Sequence, residues 1–260
     1  MRIHTSPSGA AIRINNEARG VSDLQVDLPQ GTYQVEAQLD GYQPATVSLE
    51  VKPGSPNSLD LTLQPAPPAV RLSSDTGTGK ILFDDQPPVD LEGAQWTLGK
   101  ISAGDHTLKF DGPQGGASFS FTSQAGALPL VKGPIVANGM LAVVVGNLGG
   151  RLHIYCSDPA AKVSLDSQPA ADATPDGLEL SQVSPGTHQL TLTQGNDQYK
   201  IDVDAGPAPT LAAFLESGGN IGTLVVATGE DKVRVFLNGQ LQKQVTQGGQ
   251  LRIPNLLYIQ

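Results

Sequence analysis

The chain has 260 residues, of which 30 are Gly and 20 are Pro, and this density of turn-forming residues excludes a protein built from long helices. Lys and Arg total 16 against 25 Asp and Glu, which gives a net charge of -9. Because nucleic acids and anionic lipid head groups are themselves negative, neither is an expected partner. No stretch approaches the roughly 20 apolar residues of a membrane helix, so direct membrane insertion is not expected.

Short runs in which apolar and polar residues alternate predict half-buried β-strands. The pattern is visible first at Ile12 and Ile14, and again over residues 59–63. Residues 140–145 are uniformly apolar but have only the length of a strand. Since stripes with the period of a helix are missing, these runs predict an all-β protein.

Paired Asx or Gly residues follow several of these strands and tolerate the positive φ of a tight hairpin. Segments rich in Pro or Gly, at residues 64–68, 146–150 and 217–220, are typical of joints between domains. The predicted hairpin pairs are Asn15-Asn16, Asp84-Asp85 and Asn238-Gly239.

The chain repeats its pattern at an offset of 82 residues, with residues 69–122 matching 151–204. In this alignment Ile81 meets Val163, and His106 meets His188. A single offset shared by apolar and turn positions constrains several strands at once, and this indicates duplication. The first segment of the chain fits the template with a small shift, and the last segment begins in the same way.

The repeat predicts a tandem array of small Ig-like β-sandwich domains of about 70 to 80 residues, each marginally stable alone. The predicted domains are residues 1–66, 67–146 and 147–216, with a partial fourth domain at residues 217–260. The fourth lacks the closing strands that follow Tyr33 in the first. We therefore expect the sequence to be a piece of a longer protein.

Turn signatures in the first segment resemble those of the PEGA domain of bacterial and archaeal surface-associated proteins. The third segment keeps part of the pattern at residues 157–163 and 184–188, whereas residues 75–78 have no proline and Leu256 stands where the first segment has Gly31. The stretches that carry the resemblance are Ser6-Pro7-Ser8-Gly9-Ala10, Leu28-Pro29-Gln30-Gly31-Thr32-Tyr33 and Gly41-Tyr42.

The resemblance implies PEGA-type β-sandwiches with a structural or binding role at the cell envelope, outside the cytoplasm. It supplies no catalytic residue and no cofactor. The expected partner is a protein or a cell-wall glycan. The first residues show no cationic leader followed by an apolar core, so no signal peptide is visible.

Residues 77–80, Gly-Thr-Gly-Lys, share only part of the pattern of a phosphate-binding loop. Such a loop needs a Gly four residues before its Gly-Lys pair, a Ser or Thr after the Lys, and a following helix. Here Ser74 replaces the first Gly, Ile81 replaces the hydroxyl residue, and a strand is expected to follow. We therefore predict a turn and no bound nucleotide.

His106 and His188 recur at one position of the repeat, where Tyr33 and Tyr258 stand in the other segments. Tyr and His do not serve as the same base or nucleophile, so the position does not indicate catalysis. What they share is a ring with a polar edge. The position predicts an inward-leaning ring that bonds a nearby loop carbonyl, like the tyrosine corner of other sandwiches.

Carboxylates gather in two matching loops, residues 85–95 and 167–177. A calcium loop needs several oxygen ligands at defined spacing with a Gly that enables the turn, and the stretch from Asp84 to Glu92 has two prolines instead. We predict hairpin tips that bind no metal and that serve as contact regions for a partner. The candidate interaction residues are Asp85, Asp90, Glu92, Asp172 and Asp176.

Trp96 alternates with Leu98 and matches Leu178, so it is expected in the core and not on a sugar-binding platform. Cys156, the single cysteine, excludes an internal disulfide and a thiolate metal cluster. Beside Ser157 and Asp158 it lacks the cationic surroundings of a reactive thiolate.

No nucleophile, base and orienting group occur together in a recognisable spacing, so no enzyme is predicted. The favoured function is a non-enzymatic spacer or protein-interaction stalk of tandem β-domains in the cell envelope. One alternative is a set of carbohydrate-binding accessory modules, which requires a solvent-facing Trp96 or Tyr42. The other is the extracytoplasmic sensor region of a larger enzyme or kinase, which these residues do not distinguish from a stalk.

Overall fold

The computed structural model describes residues 1–54, 58–91, 93–174, 176–217, 221–237 and 239–257. Every regular element in these ranges is a β-strand, which confirms the all-β prediction. The described residues accordingly offer no helix that could cross a lipid bilayer.

The first 62 residues form a sandwich of a three-stranded and a four-stranded sheet. Its strands are β1 (Arg2–Ser6), β2 (Ala11–Ile14), β3 (Glu17–Val21), β4 (Leu24–Gln25), β5 (Gly31–Gln38), β6 (Ala45–Val51) and β7 (Ser58–Thr62). The sheet orders are β4-β1-β7 and β3-β2-β5-β6, and β1 pairs with β7 in parallel. Alternate residues such as Ile3, Ile12 and Val35 face inward and are fully buried, which is what the alternating sequence predicts.

Residues 69–217 form three stacked sheets. The first group of strands is β8 (Ala69–Ser74), β9 (Lys80–Phe83), β10 (Val89–Asp90), β11 (Gln95–Leu98), β12 (Gly104–Gly112), β13 (Gly115–Ser123) and β14 (Leu130–Asn138). The second group is β15 (Met140–Leu148), β16 (Arg151–Cys156), β17 (Lys162–Leu165), β18 (Ala171–Asp172), β19 (Leu178–Leu180), β20 (Gly186–Gln194), β21 (Asp197–Ala205) and β22 (Thr210–Ser217).

A six-stranded central sheet of order β11-β8-β22-β15-β16-β19 separates two outer sheets. The outer sheets have the orders β10-β9-β12-β13-β14 and β18-β17-β20-β21. Strand β15 is buried along its whole length because it faces a core on each side. Its residues Ala142 and Val144 point into one core, while Leu141 and Val143 point into the other. This two-sided burial explains why residues 140–145 are apolar without alternation.

Positions 82 residues apart have matching places in the strand pairing of the two outer sheets. Ile81 of β9 lies opposite Phe110 of β12, and Val163 of β17 lies opposite Leu192 of β20. Both Ile81 and Val163 are 1% exposed. The shared hydrophobic pattern therefore builds the same local arrangement twice.

Strand β22 follows the third segment in sequence but completes the sandwich of the second. It pairs with β8 in parallel, as β7 pairs with β1 in the first sandwich. Strand β15, in turn, precedes the third segment and lies beside β16. Residues 67–146 and 147–216, predicted as separate domains, thus contribute to one continuous sheet.

The last described strands form two short antiparallel pairs. They are β23 (Ile221–Ala227), β24 (Arg234–Leu237), β25 (Gln240–Val245) and β26 (Gln250–Leu257), paired as β23-β26 and β24-β25. Phe236 and Leu241 face each other across the second pair and are exposed.

Candidate functional site

The Gly-Lys pair at residues 79–80 turns the chain into a strand. Lys80 is the first residue of β9, and its Nζ donates a hydrogen bond of 2.9 Å to Asp90 Oδ1. A Cβ on Gly79 would lie 2.4 Å from the Phe110 ring, so this glycine permits close packing. The turn prediction is confirmed, because a phosphate-binding loop would open a helix here.

One structural motif recurs in the first three segments, and we call it the Asx–ring corner. A ring near the start of a strand hydrogen-bonds the backbone carbonyl four residues earlier, which confirms the predicted bond to a nearby loop carbonyl. Tyr258, the fourth predicted ring, lies outside the described residues. The three bonds join Tyr33 Oη to Pro29 O at 3.0 Å, His106 Nε2 to Ser102 O at 3.0 Å, and His188 Nε2 to Ser184 O at 2.8 Å.

The Asx residue of each corner adopts a positive φ of about 50° and accepts a backbone hydrogen bond. In the predicted pair Asp84-Asp85, the positive φ is confined to Asp84, which corrects the expectation that both residues adopt it. An Asx side chain suits this position because it tolerates the left-handed region and reaches a neighbouring N–H. The bonds run from Gln34 N to Asn15 Oδ1, from Thr107 N to Asp84 Oδ1, and from Gln189 N to Asp166 Oδ1.

The second oxygen of each aspartate contacts the histidine of the same corner. The distances from His106 Nδ1 to Asp84 Oδ2 and from His188 Nδ1 to Asp166 Oδ2 are both 2.8 Å. Each ring therefore has both nitrogens hydrogen-bonded to acceptors. Neither nitrogen is free to take a proton from a substrate, so these Asp–His pairs stabilise the corner and do not form a general base.

The pKa values of the third corner shift in the directions that an ion pair produces. The hydrogen bond from His188 lowers the pKa of Asp166, with a further contribution from the Gln189 N–H. Asp166, followed by the Ser184 carbonyl, raises the pKa of His188 above its ordinary value. Since a neutral imidazole has only one N–H, both bonds of His188 are donated only by the protonated ring.

Replacing Asp166 with Asn is expected to flatten the pH dependence of stability at neutral and alkaline pH. The raised pKa of His188 stabilises the fold fully below its unfolded pKa, and this contribution is lost as pH rises through the folded pKa. The lowered pKa of Asp166 gives a contribution that is lost on acidification. Urea denaturation of the wild type and of Asp166→Asn at pH 6 and pH 9 measures the difference.

Asparagine preserves the bond from the Gln189 N–H, as Asn15 does for Gln34 in the first corner. Asp197→Asn is the control, because it removes the same charge from the same sheet without a histidine partner. An equal pH dependence of the free energy of unfolding in the wild type and Asp166→Asn would contradict the ion-pair interpretation.

The predicted interaction residues lie in different places and do not form one site. Asp90 pairs with Lys80 at 2.9 Å, and Asp172 pairs with Lys162 at 2.6 Å, at matching positions of the two outer sheets. Those sheets lie on opposite sides of the central sheet. The role of these aspartates in binding stays a prediction.

Two further predicted residues are exposed at loop positions. Asp85 borders a shallow surface hollow that also includes Asp84 and His106 of the second corner. The backbone carbonyl of Asp176 accepts a hydrogen bond of 2.9 Å from His153 Nε2. Glu92 lies outside the described residues.

The aromatic residues that a sugar platform would need are packed against hydrophobic cores. Trp96 is half-buried, lies opposite Leu72, and has its ring centroid 6.2 Å from that of Phe83. Tyr42 is also half-buried and packs against the first core. The prediction that Trp96 is a core residue is confirmed.

Cys156 is shielded and is not a reactive thiol. Burial raises its pKa to about 11, so the thiolate is scarce at neutral pH. Within the described ranges, no three His, Cys, Asp or Glu side chains are placed to hold a metal ion.

A cavity of about 170 Å³, which was not predicted from the sequence, lies between the central sheet and β21. Its lining includes Arg71, Asn147, Asp202 and Asp204. Arg71 Nη1 lies 3.6 Å from Asp204 Oδ2. The residue in the sequence that could have indicated this cavity is Asn147, a polar residue near the end of an apolar strand. It is only 4% exposed.

Residues 1–67 match the family model of the PEGA domain. The match confirms the predicted resemblance for the first segment of the chain. A solved structure of "The Bacillus anthracis TIE protein" is 12% identical and covers 83% of this chain, with a TM-score of 0.24. The match spans about half of that chain, 48% of its length. No curated protein matches the sequence.

Proposed function

We propose that the chain is a non-enzymatic structural or protein-interaction stalk of tandem PEGA-like β-domains, placed in the cell envelope outside the cytoplasm. The Asx–ring corner carries this proposal. The rings of Tyr33, His106 and His188 each bond the carbonyl four residues earlier. Both histidines also bond the aspartate of their corner, so both ring nitrogens are engaged. The recurring feature is thus a structural turn and not a catalytic group. This is expected of repeated modules that hold binding surfaces apart or present them to a partner.

A protein partner is favoured over a cell-wall glycan. Glycan-binding surfaces use exposed aromatic faces, and here both Trp96 and Tyr42 pack against cores. Loops and strand edges offer backbone and carboxylate groups that suit an extended polypeptide. We propose the loops at residues 85–95 and 167–177 as contact regions for this partner.

Protease treatment of intact cells of the source organism tests the placement. An antibody against residues 1–67 is expected to lose its signal before lysis, while a cytosolic marker persists. Crosslinking of the same cells is expected to join the chain to envelope proteins. Protection of the signal until lysis would refute the envelope placement, and capture of glycan alone would refute the protein partner.

A further inference from the structure

Strands β13 and β21 occupy matching places in the two outer sheets but have different neighbours. Strand β13 pairs on its far side with β14. Strand β21 pairs with β20 and with no other strand of the described residues, because the chain continues from Ala205 to β22 in the central sheet. Strand β14 covers the far edge of β13. The corresponding edge of β21 has no strand beside it among the described residues, so its backbone groups are open to pairing.

The pairing register shows which backbone groups face this open edge. The β20-β21 hairpin closes with Gln194 opposite Asp197, across a two-residue turn. Such a closing pair is hydrogen-bonded, and every second pair along the ladder is not. Gln198, Lys200 and Asp202 therefore direct their N–H and C=O groups away from β20. Asp204 does the same, and its carbonyl accepts a hydrogen bond of 2.6 Å from Asn147 Nδ2.

The cavity described above lies beside this open edge. Ser73 of β8 and Asn147 of β15 contribute to its floor, and Asp202 and Asp204 contribute to its wall. The Oδ1 of Asn147 is buried and has no hydrogen-bond partner among the described residues. Since a buried carbonyl oxygen without a donor is unfavourable, the cavity is suited to a group that donates a hydrogen bond.

Strand β14 shows what a strand at such an edge contacts. Tyr155 of the central sheet and Val131 of β14 belong to the same core, and while burial raises the pKa of the Tyr155 hydroxyl, the backbone of Val131 acts in the opposite direction. The residue 82 positions before Tyr155 is Ser73, a hydroxyl residue that lines the cavity. The central sheet thus presents a hydroxyl group to each of the two equivalent places.

A carboxylate is available to a basic residue of an added strand in the second place too, although at a different position, because Asp105 corresponds there to Thr187. Lys132 of β14 lies opposite Ser120 of β13, and its Nζ donates to Asp105 Oδ1 at 2.7 Å. The residue 82 positions after Ser120 is Asp202. A strand added to β21 in the register of β14 would place the counterpart of Lys132 opposite a carboxylate. Opposite charges facing each other across a strand pair are favourable.

We propose that the open edge of β21 binds an extended basic segment of a partner protein as an added antiparallel strand. A Lys or Arg of the segment lies opposite Asp202, and a side chain that donates a hydrogen bond enters the cavity toward Asn147. Backbone pairing supplies affinity, and these two contacts supply specificity. The proposal rests on the protein-interaction function above and assigns it a surface.

The test uses the 260-residue chain labelled with ¹⁵N and a synthetic peptide with the sequence of residues 128–138 (LPLVKGPIVAN). At saturation, the amide exchange of Gln198, Lys200 and Asp202 is expected to slow by at least about tenfold, because their N–H groups become hydrogen-bonded. A second peptide carries Glu in place of the Lys. It is expected to bind at least about tenfold more weakly, a difference of about 1.4 kcal/mol.

Three variants of the chain make the test specific. Asp202→Lys is expected to reverse the preference between the two peptides. Asp197→Lys makes the same charge change at the hairpin end of β21 and is expected to leave binding unchanged. Lys200→Pro removes one N–H from the open edge without removing a bond to β20, which an edge strand tolerates, and it is expected to abolish binding.

Unchanged exchange of the three β21 amides would overturn the proposal, as would equal binding of the two peptides by the wild type. Protection of the same amides by a second copy, which rises with protein concentration in the absence of peptide, would assign the edge to self-association and overturn it too. If the peptide fails while envelope proteins still crosslink to the chain, only this inference falls. If crosslinking fails while the peptide binds, the envelope function falls and the edge site stands.

Discussion

A polypeptide of residues 147–216 is expected to be unfolded when it is produced alone. The core between the central sheet and the sheet of β17, β18, β20 and β21 contains Leu141, Val143 and Val145 of β15. The polypeptide lacks seven of the nine residues of this strand. A domain of this size buries too little surface to lose one wall of its core. Its amide proton chemical shifts are expected to lie in the narrow random-coil range. Heating is expected to produce no cooperative unfolding transition.

The complementary piece, residues 67–146, is expected to fail for the same reason. Its core includes Leu211, Ala213 and Leu215 of β22, which lie beyond its end. Residues 67–217 contain all three sheets and are expected to fold in one cooperative transition. Residues 1–66 are a second control, because the first sandwich contains all of its own strands. A dispersed amide spectrum from residues 147–216 alone would contradict the shared sheet.

Gly146→Ala is expected to destabilise the chain by about 3 kcal/mol, at the upper end of the cost of overpacking a core. An added Cβ would lie 2.4 Å from the backbone oxygen of Pro129. Gly146 lies in the middle of the central sheet, paired with His153 on one side and Leu211 on the other, so its backbone has no room to shift. Urea denaturation of the whole chain measures the change.

Gly99→Ala is the matched control for this substitution. A Cβ at Gly99 would meet nothing within 4 Å, and its backbone does not adopt a positive φ. Its free energy of unfolding is expected to stay within about 0.5 kcal/mol of the wild type. Equal stability of the two variants would show that the loop before β14 yields to the added methyl group.

The strands and corners were predictable because they depend on residues close in sequence or on a repeated period. The alternation at Ile12 and Ile14 shows directly which side of β2 is buried. The exchange of Tyr33 for His106 and His188 identified a ring whose polar edge matters, and the acceptor carbonyl lies only four residues away in each case. Local geometry of this kind can therefore be predicted from a single sequence.

The shared central sheet was not predictable, because nothing local in β22 specifies which strand it joins. Its alternating Leu211, Ala213 and Leu215 would suit any half-buried strand. The cavity depends on the same long-range pairing, since its lining comes from β8, β11, β15, β21 and β22. The candidate site on β21 likewise follows from the strand order, because β13 has a second neighbour, β14, and β21 has none among the described residues.

The parallel pairing of β1 with β7, and of β8 with β22, determines how the protein responds to tension. The chain enters each of these pairs at the start of one strand and leaves at the far end of the other, from Arg2 to Thr62 and from Ala69 to Ser217. A pull on the two ends loads the hydrogen bonds of such a pair in shear, so that they resist together and do not peel apart singly. Force carried along the polypeptide thus acts on each sandwich in its strongest direction.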